Sequence, residues 1–127
     1  MNKKIIKTDK SPAAVGPYSQ AVLVDGWLYV SGQIPLDPSS GEVVDGDIET
    51  RTRRVLDNLS AVLQAAGGAL KDVVRTTVFL KDMGDFARVN AIYATYFADD
   101  PPARACVQVA ALPKGVDVEI DAVAKIS

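Results

Sequence analysis

Hydrophobic and polar residues follow two different periods along this chain, and the two periods predict its elements. Alternation with a period of two marks several short segments, whereas apolar residues spaced three and four apart mark two longer ones. These segments predict strands over 3–7, 18–24, 27–31, 73–80, 103–109 and 116–124, and helices over about 47–66 and 85–97. Asp25-Gly26 predicts a hairpin turn, Gly67-Gly68 ends the first helix, and Pro101-Pro102 follows the second.

The predicted order β-β-β-α-β-α-β-β indicates an α+β fold, in which two helices cover one face of a mixed sheet. The other face also carries apolar residues, because Val22 and Val24 alternate with Ala21 and Leu23. Two helices in a chain of 127 residues cannot cover both faces of such a sheet. We therefore expect the chain to self-associate with closed symmetry, which would allow a ligand site at a subunit boundary.

Arg104 is the one charged residue in an otherwise apolar or weakly polar strand, where it shares a row with Cys106 and Gln108. A short connection predicts that this strand and the last one form an antiparallel hairpin, which would place Arg104 on one face with carboxylates such as Glu119. A guanidinium there suits a bidentate grip on a ligand carboxylate or phosphate. A structural ion pair with one of these acids is the alternative, and the pattern alone leaves both open.

The amino-acid composition limits the ligands, metal sites and catalytic groups that the chain can provide. The whole chain, residues 1–127, predicts a single domain, and 14 basic against 16 acidic residues give a net charge of −2. This balance argues against a broad nucleic-acid-binding face, and we interpret the basic cluster Arg51, Arg53 and Arg54 as a solvated helix face. With no histidine and one cysteine, neither a Cys/His metal site nor an internal disulfide is expected. Acid–base chemistry would fall to other groups or to water.

The chain has no segment that predicts export or membrane insertion. Its first eight residues contain no long apolar stretch, and no later run approaches the length of a membrane span. We therefore expect a cytoplasmic protein.

Two short motifs stand at the ends of predicted strands. Gly16-Pro17-Tyr18-Ser19-Gln20-Ala21 opens the second strand, and Ser31-Gly32-Gln33-Ile34-Pro35 closes the third. Gly32 would let a ligand approach the backbone, and Tyr18 would offer an apolar wall with a hydroxyl at its tip. Taken singly, each has a plain structural explanation as a turn, a core aromatic residue or a strand end.

Taken together, the motifs resemble the Rid family, the reactive intermediate deaminases formerly called the YjgF family. The resemblance extends over essentially the whole chain. It includes the two motifs above, Pro102-Ala103-Arg104-Ala105-Cys106-Val107 with Leu112-Pro113-Lys114, and Val118-Glu119-Ile120-Asp121-Ala122-Val123-Ala124. The arginine, the cysteine two residues later and the glutamate of the last strand make it most similar to the RidA branch.

The resemblance implies a chorismate-mutase-like α+β fold, and a homotrimer with a cleft between each pair of subunits. It also implies hydrolysis of 2-imino acids and of enamines such as 2-aminoacrylate to 2-keto acids and ammonia, without cofactor or metal. By position, Arg104 would bind the substrate carboxylate and Glu119 would activate water. The cleft would be lined by Tyr18, Ser31, Gly32, Asn90 and Cys106. Asp121 stands where close relatives often carry Glu.

Three functions remain open on this reasoning. The first is the imine deaminase, for which an Arg–carboxylate grip and one Glu are sufficient, because 2-imino acids already hydrolyse in water. The second is a module that binds keto acids without turnover. The third is an RNA-acting translation inhibitor or ribonuclease, against which the acidic balance and the missing histidine argue.

Overall fold

The computed structural model describes residues 2–127, and it contains one mixed sheet of six strands and two helices. The strands are β1 (Lys4–Ile6), β2 (Ala21–Val24), β3 (Trp27–Gln33), β4 (Val73–Leu80), β5 (Ala103–Gln108) and β6 (Val118–Lys125). The helices are α1 (Ile48–Ala65) and α2 (Phe86–Tyr96), and short 3₁₀ turns occur at Leu70–Asp72, Met83–Asp85 and Pro113–Gly115. The predicted element order and the α+β class are confirmed.

Local sequence accounts for most of the element boundaries. Asp25 and Gly26 both adopt positive φ (52° and 80°), as a tight two-residue hairpin requires, and they join β2 to β3. Asp47 caps α1 by accepting a hydrogen bond of 2.9 Å from the Thr50 N–H. Gly67 follows α1 with a φ of 89°, a backbone conformation that glycine adopts without strain.

The sheet order β1-β2-β3-β6-β4-β5 corrects the hairpin predicted from the sequence. β5 pairs with β4 in parallel, and β6 inserts between β3 and β4 in antiparallel orientation. α2 forms the crossover connection that a parallel β4–β5 pair needs, and β5 lies at the edge of the sheet. β6 instead takes the centre, where its alternate residues from Val118 to Ala124 are buried.

Both helices pack on one face, which we call the helix face. The core between helices and sheet contains Val55, Leu56, Leu59, Val62 and Leu63 of α1, together with the inward rows of the strands. We call the other surface of the sheet the open face. Its side chains include Trp27, Tyr29 and Val107, which are 40%, 51% and 41% exposed. The bare second face that the sequence predicts is thus present.

Candidate active site

Arg104 lies on the helix face of the edge strand β5, where α2 holds its guanidinium. Nη1 donates a hydrogen bond of 2.7 Å to Oδ1 of Asn90. The guanidinium carbon lies 4.8 Å from the centre of the Tyr93 ring and 5.5 Å from that of Phe86. These three partners are spaced i, i+4 and i+7, so one face of α2 presents all of them. Within residues 2–127, Arg104 forms no salt bridge, which argues against the structural ion pair.

Cys106 follows Arg104 in the same row and partly packs against the core. Burial raises the pKa of its thiol, while the positive charge of Arg104 opposes that rise. The backbone of β5 has a free edge here: Val109 N–H donates to Leu80 O of β4, so alternation directs the N–H of Cys106 away from β4. The strand therefore offers a guanidinium and an edge N–H close together, and the thiol remains largely protonated.

Glu119 lies on the open face of β6 and leans over Gly32 of β3. A Cβ at Gly32 would overlap the Glu119 carboxylate, so glycine leaves the room that this side chain occupies. Partial burial raises the pKa of the Glu119 carboxyl, and the negative charge of Asp121 adds to the rise. Glu119 therefore holds a proton more readily than an ordinary glutamate.

A β-bulge at Ser31 and Gly32 brings the two glycine-containing motifs together. Val30 pairs with Ala122 and Gln33 with Ile120, so β3 has one residue more than β6 across this interval. The Ser31 hydroxyl donates a hydrogen bond of 2.6 Å to Ser19 O, and Ser31 N–H donates to Gln20 O at 3.0 Å. The bulge thus joins the strand end to the segment that carries Tyr18.

Tyr18 is 53% exposed, so the plain explanation of a core aromatic residue is wrong. Its hydroxyl accepts a hydrogen bond of 3.3 Å from Val15 N–H, which closes a loop over residues 15–18. Beside it opens a cleft of about 310 Å³, walled by residues 5–8 together with Ala13 and Ala14. The aromatic ring is available to a ligand or to another subunit.

The predicted site residues therefore form two groups, and Arg104 and Glu119, one in each group, lie on opposite faces of the sheet. In the register of β4, Thr76 lies beside both Arg104 and Ala122 on the helix face, whereas Phe79 lies beside Glu119 on the open face. The prediction that Arg104 and Glu119 share a face is wrong, because β4 separates their strands and their positions have opposite parity. Arg104, Asn90 and Cys106 form the arginine half-site. Glu119, Gly32, Ser31 and Tyr18 form the glutamate half-site.

Sequence reasoning missed the two aromatic partners of Arg104. Phe86 and Tyr93 lie within the predicted second helix, and their spacing with Asn90 could have indicated a shared face. The interpretation of the basic cluster as a solvated helix face fits the exposed Arg53, but it needs correction for the half-buried Arg51 and Arg54. Arg51 forms a salt bridge of 3.3 Å with Asp117, and Arg54 donates a hydrogen bond of 3.1 Å to Asn58.

Within residues 2–127, no cluster of His, Cys, Asp and Glu side chains is arranged to hold a metal ion. In the same part of the chain, no helix combines the length and apolar character needed to cross a membrane.

Residues 8–126 match the family model described as Endoribonuclease L-PSP, which represents the YjgF/Rid proteins. The chain belongs to the Rid family. A 2-iminobutanoate/2-iminopropanoate deaminase from Mus musculus is 56% identical over 122 residues, covering 96% of this chain and 90% of the relative. This membership confirms the resemblance to the Rid family and its RidA branch.

Solved structures of the Rid family share the fold throughout. A candidate endoribonuclease from Thermotoga maritima is 54% identical, covers 98% of each chain and superposes with a TM-score of 0.96. The structure of TdcF from E. coli with bound serine is 42% identical, covers 98% of this chain and 99% of that chain, and has a TM-score of 0.93. One of these Rid folds therefore binds a small amino acid.

Proposed function

We propose that this Rid protein hydrolyses 2-iminobutanoate and 2-iminopropanoate, and the related enamine 2-aminoacrylate, to 2-keto acids and ammonia. The observation that carries the proposal is the Arg104 guanidinium, which Asn90 and two aromatic rings hold without any carboxylate partner in residues 2–127. A 2-imino acid supplies a carboxylate, and a planar fork can bind both of its oxygens. The deaminase name of relatives at 56% and 53% identity supports the same reaction.

The reaction adds one water and releases one ammonia. Water attacks the imine carbon to form a carbinolamine, and the C–N bond then breaks as the carbonyl forms. Glu119 takes a proton from the attacking water and passes it to the imine nitrogen. It then takes the hydroxyl proton of the carbinolamine and gives it to the departing nitrogen, so that both protons of the water end on the ammonia. A raised pKa suits a group that both takes and gives a proton. A proton shuttle of this kind contributes about 10²–10⁴-fold, and orientation of the reactants can lower the barrier by up to ~7–11 kcal/mol.

The same proposal requires more than one subunit in each site. Because Arg104 and Glu119 lie on opposite faces of one sheet, a substrate meets both only when they come from different copies. The exposed Trp27, Tyr29 and Val107 of the open face support such an association. We propose the homotrimer of the family, with three clefts that each join the arginine half-site of one subunit to the glutamate half-site of its neighbour.

Turnover tests the chemistry directly. A pyridoxal-phosphate dehydratase generates 2-iminobutanoate in the cuvette, and the rate of 2-oxobutanoate formation is measured with and without this protein. An accelerated rate supports the deaminase. Binding of 2-oxobutanoate by calorimetry without any acceleration would instead identify a non-catalytic keto-acid module.

A mixing experiment tests the two-chain site. Arg104→Ala and Glu119→Gln are each inactive on their own, but an unfolded mixture refolded together restores sites that combine the intact Glu119 of one with the intact Arg104 of the other. Random trimers at equal amounts have about one quarter of the wild-type sites. No recovery in correctly sized hybrids would show that both residues act within one chain.

An RNA-cleaving function has less support, although the matched family model carries an endoribonuclease description. The chain has no histidine and a net charge of −2. Arg51 of its basic cluster is already paired with Asp117. Salt-dependent RNA binding at physiological ionic strength would restore this alternative.

A further inference from the structure

Tyr93 is a buried residue whose contacts serve Arg104 as well as the core. Its side chain is 5% exposed, and its hydroxyl lies 2.7 Å from the hydroxyl of Thr76, which is fully buried. Thr76 is the direct neighbour of Arg104 in the β4–β5 pairing. The ring of Tyr93 is thus held from the sheet side at the point where it meets the guanidinium.

Arg104 needs such support because it sits on an edge strand and is exposed. An arginine side chain has many rotamers, and the single hydrogen bond from Nη1 to Asn90 leaves the guanidinium free to rotate about that bond. A flat ring against the guanidinium face removes this freedom. Tyr93 supplies the nearer ring, at 4.8 Å against 5.5 Å for Phe86.

We propose that Tyr93 is a positioning residue: the Thr76 hydrogen bond fixes its ring, and the ring fixes the plane of the Arg104 guanidinium so that its remaining N–H groups face the substrate carboxylate. The inference rests on the proposed function, since it concerns the residue assigned to bind that carboxylate. It extends the site to two buried residues, Tyr93 and Thr76, which act through Arg104.

Phe97 provides a matched control for the loss of an aromatic core side chain. The centre of its ring lies 4.7 Å from the centre of the Tyr93 ring, and the residue is 6% exposed. Arg104 has cation–π contacts with Phe86 and Tyr93 but none with Phe97. Phe97→Leu therefore reports what core damage alone does to binding.

The experiment compares Tyr93→Leu, Tyr93→Phe and Phe97→Leu with the wild-type trimer. Calorimetry gives the Kd for 2-oxobutanoate, turnover gives kcat and KM, and NMR follows the Nε–Hε signal of Arg104, assigned from its loss in Arg104→Lys. Tyr93→Leu should raise Kd and KM about 5- to 30-fold and shift the Arg104 signal. Tyr93→Phe should recover most of the affinity, because it keeps the ring.

Phe97→Leu should lower the melting temperature as much as Tyr93→Leu but change Kd by less than about twofold. Equal losses of affinity in both variants, or an unchanged Kd in Tyr93→Leu, would overturn the inference. If Tyr93→Leu fails to assemble, Tyr93→Met carries the same expectation, because it keeps more volume but no ring.

Failure of the proposed function gives a different pattern. If Arg104→Ala binds 2-oxobutanoate as well as the wild type does, the carboxylate clamp is wrong whatever Tyr93 does. In that case the NMR signal still decides whether Tyr93 orders the guanidinium. If Arg104→Ala loses binding and Tyr93→Leu retains it, only the positioning role fails.

Discussion

The two faces of the sheet differ in how far one chain completes them. On the helix face, α1 and α2 bury the inward rows, and Leu28, Leu56, Leu59 and Leu63 have no exposed surface. On the open face, Trp27, Tyr29 and Val107 remain 40–51% exposed within the single chain. The helix face is thus buried in the manner of a complete core, whereas the open face exposes apolar side chains of the kind that an interface covers.

The candidate chemistry is divided along the same line. Arg104 lies at the edge of the helix face, where contacts with α2 order its guanidinium in the absence of a ligand. Glu119 lies on the open face, where partial burial already raises the pKa of its carboxyl. Each chain thus carries both half-sites, and in the proposed trimer the arginine half-site of one chain meets the glutamate half-site of another. Substitutions on the two faces should therefore fail in different ways.

A charge on the open face should have the largest effect. Tyr29 lies on this face between Val22 and Val123 and is 51% exposed. Tyr29→Asp would bury a carboxylate in the proposed subunit interface, so we expect monomers and no measurable deaminase activity. Light scattering measures the assembly. Gln64→Asp adds the same charge on the exposed side of α1 and should leave trimer and activity intact. A fully active Tyr29→Asp trimer would show that the open face is not the interface.

Arg104→Lys tests whether the arginine half-site on the helix face binds the substrate carboxylate. Lysine keeps the charge and can still contact the rings, but it is a point donor and cannot hold both carboxylate oxygens. We expect a folded trimer with 2-keto-acid binding and kcat/KM reduced by about 10³-fold, and Arg104→Ala at least as impaired. Melting temperature, trimer fraction and iminobutanoate hydrolysis are measured on both. A structural arginine would give the reverse pattern, in which Lys is tolerated and Ala loses stability first.

Glu119→Gln should separate binding from turnover. The amide keeps the shape but cannot shuttle a proton, so kcat should fall by about 10²–10⁴-fold while the trimer and the keto-acid affinity remain. Burial and Asp121 raise the pKa of Glu119 above its usual 4.5. The wild-type rate should therefore fall as the pH drops through that raised value, and the residual rate of the variant should lack this limb. Near-normal turnover would reassign Glu119 to structure.

Asp121→Asn sharpens the same point on the open face. Removing the neighbouring negative charge makes ionisation of Glu119 easier, so its pKa falls toward the usual value. The acid limb of the rate profile should move to lower pH with little change in the maximal rate. A limb that stays in place would show that the group that titrates in the rate profile is not Glu119.

The sequence could predict each strand but not how the strands face one another. Period two correctly put Arg104 and Cys106 in one row and Glu119 opposite Val118 and Ile120. Whether two rows share a face depends on sheet order and register, which are tertiary properties. The loop before β6 has a length that suits a hairpin, yet β6 pairs with β3 and β4, because its buried row fits the centre of the sheet.

The motifs named candidate site residues but did not specify the contacts between them. Ser31, at the bulge, donates hydrogen bonds to the carbonyl oxygens of Ser19 and Gln20, which follow Tyr18, and no local pattern specifies these contacts. The missing side chain at Gly32 leaves room for the carboxylate of Glu119, which lies 87 positions later in the chain, and not only for a ligand. Only Asn90, Phe86 and Tyr93 carried a local signal for their shared contact, through their helical spacing.

Cys106→Ala should have the smallest effect of these substitutions. The thiol shares the row of Arg104, but burial raises its pKa, so it is a poor nucleophile at neutral pH. What it offers to a ligand is the backbone N–H at the free edge of β5, and that group survives the substitution. We expect kcat/KM within a few-fold of wild type, and no effect of chelators on either protein. Inactivation by thiol alkylation without loss of the trimer, or activity that depends on added metal, would show that the arginine half-site acts through more than a guanidinium and an edge N–H.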